Sequence, residues 1–189
     1  MASIEIEADK LHERAHTVQN MLTPLRPVQK SRRILVACKL CKKQYRGCKV
    51  VAAHEGIKNG ESFDKWYFRT FATDIWSQYS EFWKPINGQR KYFLNRAYLN
   101  ILITNRETHK FDKLVSIHCD PYDKGNEPLC TYKRGPHLHV QKAEHPIPKC
   151  HFPLNLTELN KILSSIEKIT TALEDAIKII CNEVLSRYN

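Results

Sequence analysis

Nine aliphatic residues between positions 159 and 184 fall on one helical stripe: Leu159, Ile162, Leu163, Ile166, Ile169, Leu173, Ile177, Ile180 and Val184. Their spacing predicts a helix over about residues 156–187, a rod of about 45 Å. Asn155 followed by Glu158 resembles a capping box at its start, with Asn in the usual place of Ser or Thr. A stripe of this length must be covered. The N-terminal part of the chain is the expected cover, with a homodimer or another protein partner on this C-terminal helix as the next choice.

The first half also reads as helical. A first helix is expected over about 3–22, closed by Pro24 and Pro27. Ile34, Cys38, Cys41, Tyr45, Cys48 and Ala52 then recur at intervals of four, three, four, three and four, one face of a second helix. Gly56, Asn59 and Gly60 end it, and Ser62 caps a third, aromatic helix over about 63–84 carrying Trp66, Trp76 and Trp83. Pro85-Ile-Asn87-Gly88 marks a turn.

The period then changes to two. Residues 93–104 alternate Phe93, Ala97, Leu99, Ile101 and Ile103 with Arg96, Tyr98 and Asn100, as a strand does. Leu114–Asp120 reads as a second strand, 121–135 as a loop and 136–141 as a third strand. The expected fold is therefore α+β: an N-terminal helical layer and the long C-terminal helix on a small antiparallel sheet of about three or four strands. One domain is expected over 1–189, divided into a basic, mainly helical part (1–86), a sheet (90–153) and the last helix (155–187).

Charge narrows the partners. The formal net charge is +10, and residues 26–49 contain nine Lys and Arg and no acid. Arg26, Lys30, Arg32, Arg33, Lys39, Lys42, Lys43 and Arg46 are the candidate nucleic-acid contacts there, with Lys133 and Arg134 further on. RNA is the favoured polyanion. No run of about 18 apolar residues implies a membrane span. The acidic start, Met-Ala-Ser-Ile-Glu-Ile-Glu-Ala-Asp, lacks the regions of a signal peptide. Seven cysteines, an odd number, read as thiols of a cytoplasmic protein rather than as a disulfide framework.

Five of nine histidines lie between positions 118 and 151. Strand alternation puts His118 and Asp120 on one face of the second strand, and His137 and His139 on one face of the third. Antiparallel pairing would bring all four together, within reach of Tyr98 and Arg96. His145 and His151 fall among prolines and are at most auxiliary. Three chemistries fit. The four residues could bind a divalent metal, zinc or manganese, that activates water or polarises a phosphoryl oxygen. They could instead act without metal as general acid and base on an RNA backbone, with Lys133, Arg134 or Arg96 stabilising the phosphorane. Or they form only the polar surface of a sheet that binds a partner.

A phosphodiesterase of the ribonuclease type is the leading expectation, with His118, Asp120, His137 and His139 catalytic or metal-ligating. Such a small basic nuclease would suit a microbial toxin or defence protein. The alternative is a non-catalytic subunit that binds nucleic acid through a basic helix and a partner through its last helix. Cys38-Lys-Leu-Cys41 has knuckle spacing that Cys48 and His54 would complete into a zinc site. The same cysteines also fit the apolar face of a helix, where Cys behaves as a small buried hydrophobe.

Overall fold

The computed structural model describes residues 4–25, 34–41, 47–54, 66–70, 74–122, 133–140, 150–154 and 158–188. Among them, nine strands form one sheet: β1 (Glu5–Glu7), β2 (Ile34–Cys41), β3 (Gly47–His54), β4 (Phe68–Arg69), β5 (Ile75–Pro85), β6 (Lys91–Thr104), β7 (Phe111–Cys119), β8 (His137–Val140) and β9 (Cys150–Pro153). The order is β2-β3-β5-β6-β7-β8-β9 and the pairings along it are antiparallel. β1 pairs with the start of β6, and β4 with the start of β5. The helices are α1 (Leu11–Met21), α2 (Leu159–Ile162) and α3 (Ile166–Glu183).

The small sheet is overturned, and so are the second and third helices of the first half; the first helix, expected over about 3–22, is observed as α1. Residues 34–54, expected as one basic helix, contain a hairpin arm on each side of residues 42–46. Their helical spacing arises because it counts across two strands. Within each arm the period is two: Ile34, Val36 and Cys38 on β2, and Cys48, Val50 and Ala52 on β3, all join one core. The aromatic segment is β5, not a helix. Ile75, Ser77, Tyr79, Glu81 and Trp83 are all buried, so alternation is present there. A serine and a glutamate at buried positions hide it from a hydropathy pattern, while Trp, Tyr and Phe favour strands.

Each strand contributes alternate residues to two unlike faces. One face is covered by helices. Leu11, Ala15 and Val18 of α1 and Ile169, Leu173, Ala176, Ile177 and Ile180 of α3 join Tyr79, Leu99, Ile101 and Ile117 in a single core. The C-terminal stripe is thus covered by this chain itself. The expected single helix divides at Ser164–Ser165, where the Ser165 hydroxyl accepts the Lys168 amide at 3.3 Å and starts α3. No helix among the described residues is long and apolar enough to cross a membrane.

A buried polar cluster locks the helices to the sheet. Arg14 of α1 donates to both carboxylate oxygens of Glu81 on β5, at 2.6 and 3.1 Å. Tyr79 Oη and Trp83 Nε1 donate to the same carboxylate at 2.6 and 2.9 Å. Arg14 also donates to Thr170 of α3 at 2.6 Å. Burial disfavours the charged guanidinium, yet the Glu81 carboxylate outweighs it and raises the pKa of Arg14. Burial and the same negative charge push the Tyr79 phenol well above the usual tyrosine value.

Candidate metal centre

On the other face, register does the assembling. Tyr98 on β6 stands opposite His118 on β7, and His118 stands opposite His137 on β8. One row further along, Gln78, Asn100, Ser116 and His139 stand opposite one another in turn. Ser116 donates to Asn100 at 2.8 Å and Asn100 to Gln78 at 3.1 Å, so hydrogen bonds join three strands of this row and register sets His139 beside its end.

Three of the four expected residues meet. One ring nitrogen from each of His118, His137 and His139 lies within 4.8 Å of the others. In a tetrahedral site with Zn–N of about 2.0–2.1 Å, ligand nitrogens stand about 3.4 Å apart, so small side-chain rotations would complete the geometry. His137 is buried, and its Nδ1 lies 2.9 Å from the Gly135 carbonyl oxygen. A carbonyl can only accept, so Nδ1 donates there and Nε2 is the nitrogen left to ligate a metal. The His118 ring packs against His139 with centroids 3.9 Å apart.

Asp120 follows the end of β7 and does not join the imidazoles directly. Its Oδ1 accepts from Tyr98 Oη at 2.7 Å, while the Tyr98 ring stacks on His118 at 4.0 Å and 23°. Burial, then the hydrogen bond and charge of Asp120, raise the Tyr98 phenol above its ordinary value. The phenol therefore stays a donor at neutral pH. The exposed Arg96 lies over the same Tyr98 ring, 5.4 Å from its centroid.

An open cavity of about 460 Å³ lies above the three rings, with Tyr98 and Asp120 in its wall. Asn95, Tyr122 and Lys133 complete the lining. Among the described residues, Lys133 is the expected nucleic-acid contact that the structure brings to the site. Arg134 instead donates Nε to the Pro121 carbonyl at 3.0 Å and ties the segment before β8 to the end of β7. Lys39 lies on β2, opposite Lys49 in register. Arg26, Lys30, Arg32, Arg33, Lys42, Lys43 and Arg46 lie outside the described residues, as does His145. Backbone register sets His151 opposite His139, a placement its neighbouring prolines did not reveal. Asn95 and Tyr122 carry no sequence signal of a site.

The four-ligand cysteine site is a different matter. Cys38 and Cys48 meet on the helix-covered side of the β2–β3 hairpin, Sγ to Sγ at 2.6 Å. The hydrogen bond from Cys48 lowers the Cys38 thiol pKa. The side chains of Cys41 and His54 lie outside the described residues. His54 lies six residues along β3 from Cys48, about 20 Å away. The hairpin therefore does not gather the four into one tetrahedral site. No known protein family, curated protein or solved structure matches the chain.

Proposed function

We propose that the protein is a metal-dependent phosphodiesterase acting on nucleic acid, with RNA as its substrate. The observation that carries this is the convergence of three imidazoles on adjacent strands, in a cavity that also holds Lys133 and the Tyr98–Asp120 pair. Three neutral imidazoles with a fourth position open form a donor set suited to catalytic zinc; manganese prefers more oxygen ligands. Zinc would supply a water whose pKa falls to about 7. Asp120, oriented by Tyr98, is placed to accept a proton from such a water or to position it. Lys133 and Arg96 provide positive charge for the extra negative charge of a phosphorane. Single-stranded RNA suits an open sheet face, because bases must be splayed out to be stacked and read there.

Cytoplasmic residence belongs to the same reading. Cys38, Cys48, Cys119 and Cys181 are thiols in the structure, which fits a reducing compartment. The decisive experiment combines metal analysis of the purified protein with cleavage of single-stranded RNA by zinc-loaded, manganese-loaded and chelator-treated forms. Expected is about one zinc per chain, cleavage that chelation abolishes, and loss of both in His137→Ala with His139→Ala. Undiminished cleavage after chelation would leave metal-free acid–base chemistry. Binding of RNA without cleavage in any form would overturn the enzyme in favour of a non-catalytic nucleic-acid-binding subunit.

A further inference from the structure

The face that carries the histidines runs on into an aromatic cluster. Tyr67 meets Trp76 and Phe111 edge to face, with ring centroids 5.2 and 4.9 Å apart, and Trp76 meets Phe111 at 5.8 Å. Trp76 is fixed by its Nε1, which donates to the Thr104 hydroxyl at 3.1 Å. The Arg69 guanidinium lies over the Trp76 ring, 4.8 Å from its centroid. Phe111 is 41% exposed, a large apolar ring open to solvent.

Strand register puts this cluster and the histidines on one face. Arg69, Trp76, Leu102 and Lys113 stand opposite one another in turn on β4, β5, β6 and β7. Trp76 and Gln78 are two residues apart on β5, so this row shares a face with the polar row that ends beside His139. Thr104, opposite Phe111, lies six residues along β6 from Tyr98, opposite His118. The cluster is therefore about 20 Å from the histidine row, with the exposed Lys113 between the two. The nearby acids do not oppose a polyanion there. Asp74 is paired with Arg106 at 2.6 Å, and Asp112 stands opposite Ile103, on the other face by alternation.

We infer that Phe111, Trp76 and Arg69 form a stacking platform for unpaired bases of the RNA strand whose phosphodiester reaches the histidines; this rests on the proposed phosphodiesterase activity. Unpaired bases stack on aromatic rings and on guanidinium planes, and both surfaces are present here. Arg69 and Lys113 supply positive charge along the path of the backbone, which favours a polyanion over an apolar protein surface. A ring stack reads no hydrogen-bond edge, so the platform takes any base and adds affinity rather than sequence choice. The separation calls for a strand of several nucleotides; a mononucleotide reaches one site only.

The test is equilibrium binding of octauridylate and octaadenylate to the chelator-treated protein, so that the strand stays intact. Trp66 and Trp83 are buried, so a change in tryptophan emission on binding reports Trp76. Expected is such a change with both oligonucleotides. Phe111→Ala should weaken both by about 5- to 100-fold, the range for loss of one stacked base, with its unfolding midpoint followed to show the fold intact. Lys113→Gln, which removes no ring, should flatten the slope of log affinity against log salt by about 0.7. Wild-type affinity in Phe111→Ala, or a loss confined to one of the two bases, overturns the platform. Self-association of the free protein that Phe111→Ala abolishes overturns it too, because the face is then an interface between copies. Cleavage by the zinc-loaded protein is scored separately. Phe111-dependent binding of RNA that is never cut sinks the phosphodiesterase and leaves the platform standing, whereas cleavage with wild-type KM in Phe111→Ala does the reverse.

Discussion

The two faces of the sheet solve opposite problems with polar residues. On the helix-covered face, Glu81 and Arg14 are almost fully buried, and each satisfies the other within a set of five hydrogen bonds that also engages Tyr79, Trp83 and Thr170. That arrangement leaves no room for a ligand and joins three elements. On the open face, three imidazoles are drawn together beside a cavity and oriented from behind, by the Gly135 carbonyl and the Tyr98 ring. The first set is built to stay closed and the second to receive something. The contrast predicts that stability and function separate by face.

The largest effect should come from breaking the covered face. Glu81→Gln or Arg14→Met leaves a buried charge without its counter-ion and should destabilise by about 3–5 kcal/mol in denaturant unfolding. His137→Ala, by contrast, should leave the metal-free protein within about 1–2 kcal/mol of wild type in the same measurement. Equal losses at Glu81 and His137 would erase the distinction between the faces.

Zinc should stabilise the wild type by about 2.7 kcal/mol at a free concentration one hundred times Kd, read as a rise in Tm. His139→Ala and His118→Ala should abolish that rise, and Glu5→Gln should keep it. A rise that persists in His139→Ala would place the metal elsewhere.

Alkaline pH probes both faces at once. Burial, reinforced by Glu81 and Asp120 respectively, raises the Tyr79 and Tyr98 phenols above the usual value of about 10. Both are protonated in the folded protein at pH values where the unfolded chain has ionised. Their contribution is therefore complete below pH about 10 and is lost as pH rises toward their folded values. Thermal unfolding should weaken above pH 10, and Tyr98→Phe should flatten part of that slope. An unchanged slope in Tyr98→Phe would contradict the raised phenol on the open face.

The smallest effect on stability should be at Gly135. A Cβ there would sit 2.6 Å from Leu159 Cδ1, the movable end of a side chain. The Leu159 side chain should yield to the added methyl, so Gly135→Ala should keep the carbonyl that holds His137 and change zinc affinity by less than the factor of about 10 that loss of such a partner brings. Its unfolding free energy should change far less than that of Glu81→Gln. A loss larger than that would show that the backbone at Gly135, and not Leu159, gives way.

Much of the open face was legible in the sequence because alternation is unambiguous where one side is polar. The strand expected over 93–104 is observed as Lys91–Thr104, and that over 114–120 as Phe111–Cys119. From these, the shared face of His137, His139 and His118 follows once the strands pair. Asp120 was harder to place: it lies one residue beyond β7, where alternation no longer governs direction, and Tyr98 claims its carboxylate. The covered face misled for the opposite reason. On β2 and β3, apolar residues such as Ala37 and Val51 also stand on the side away from the main core, which obscures the period of two, and on β5 the buried Ser77 and Glu81 interrupt the apolar face.

Local chemistry alone thus determined that the chain ends in an amphipathic helical segment, that a period of two governs its middle, and that imidazoles concentrate there, since those properties depend only on neighbours along the chain. Tertiary structure decided that the sheet has nine strands, that Glu81 meets Arg14 across 67 positions, and that His118, His137 and His139 face one cavity. Strand register made those choices. It is set by the packing of whole faces, and a shift of one residue would have turned every histidine to the other side.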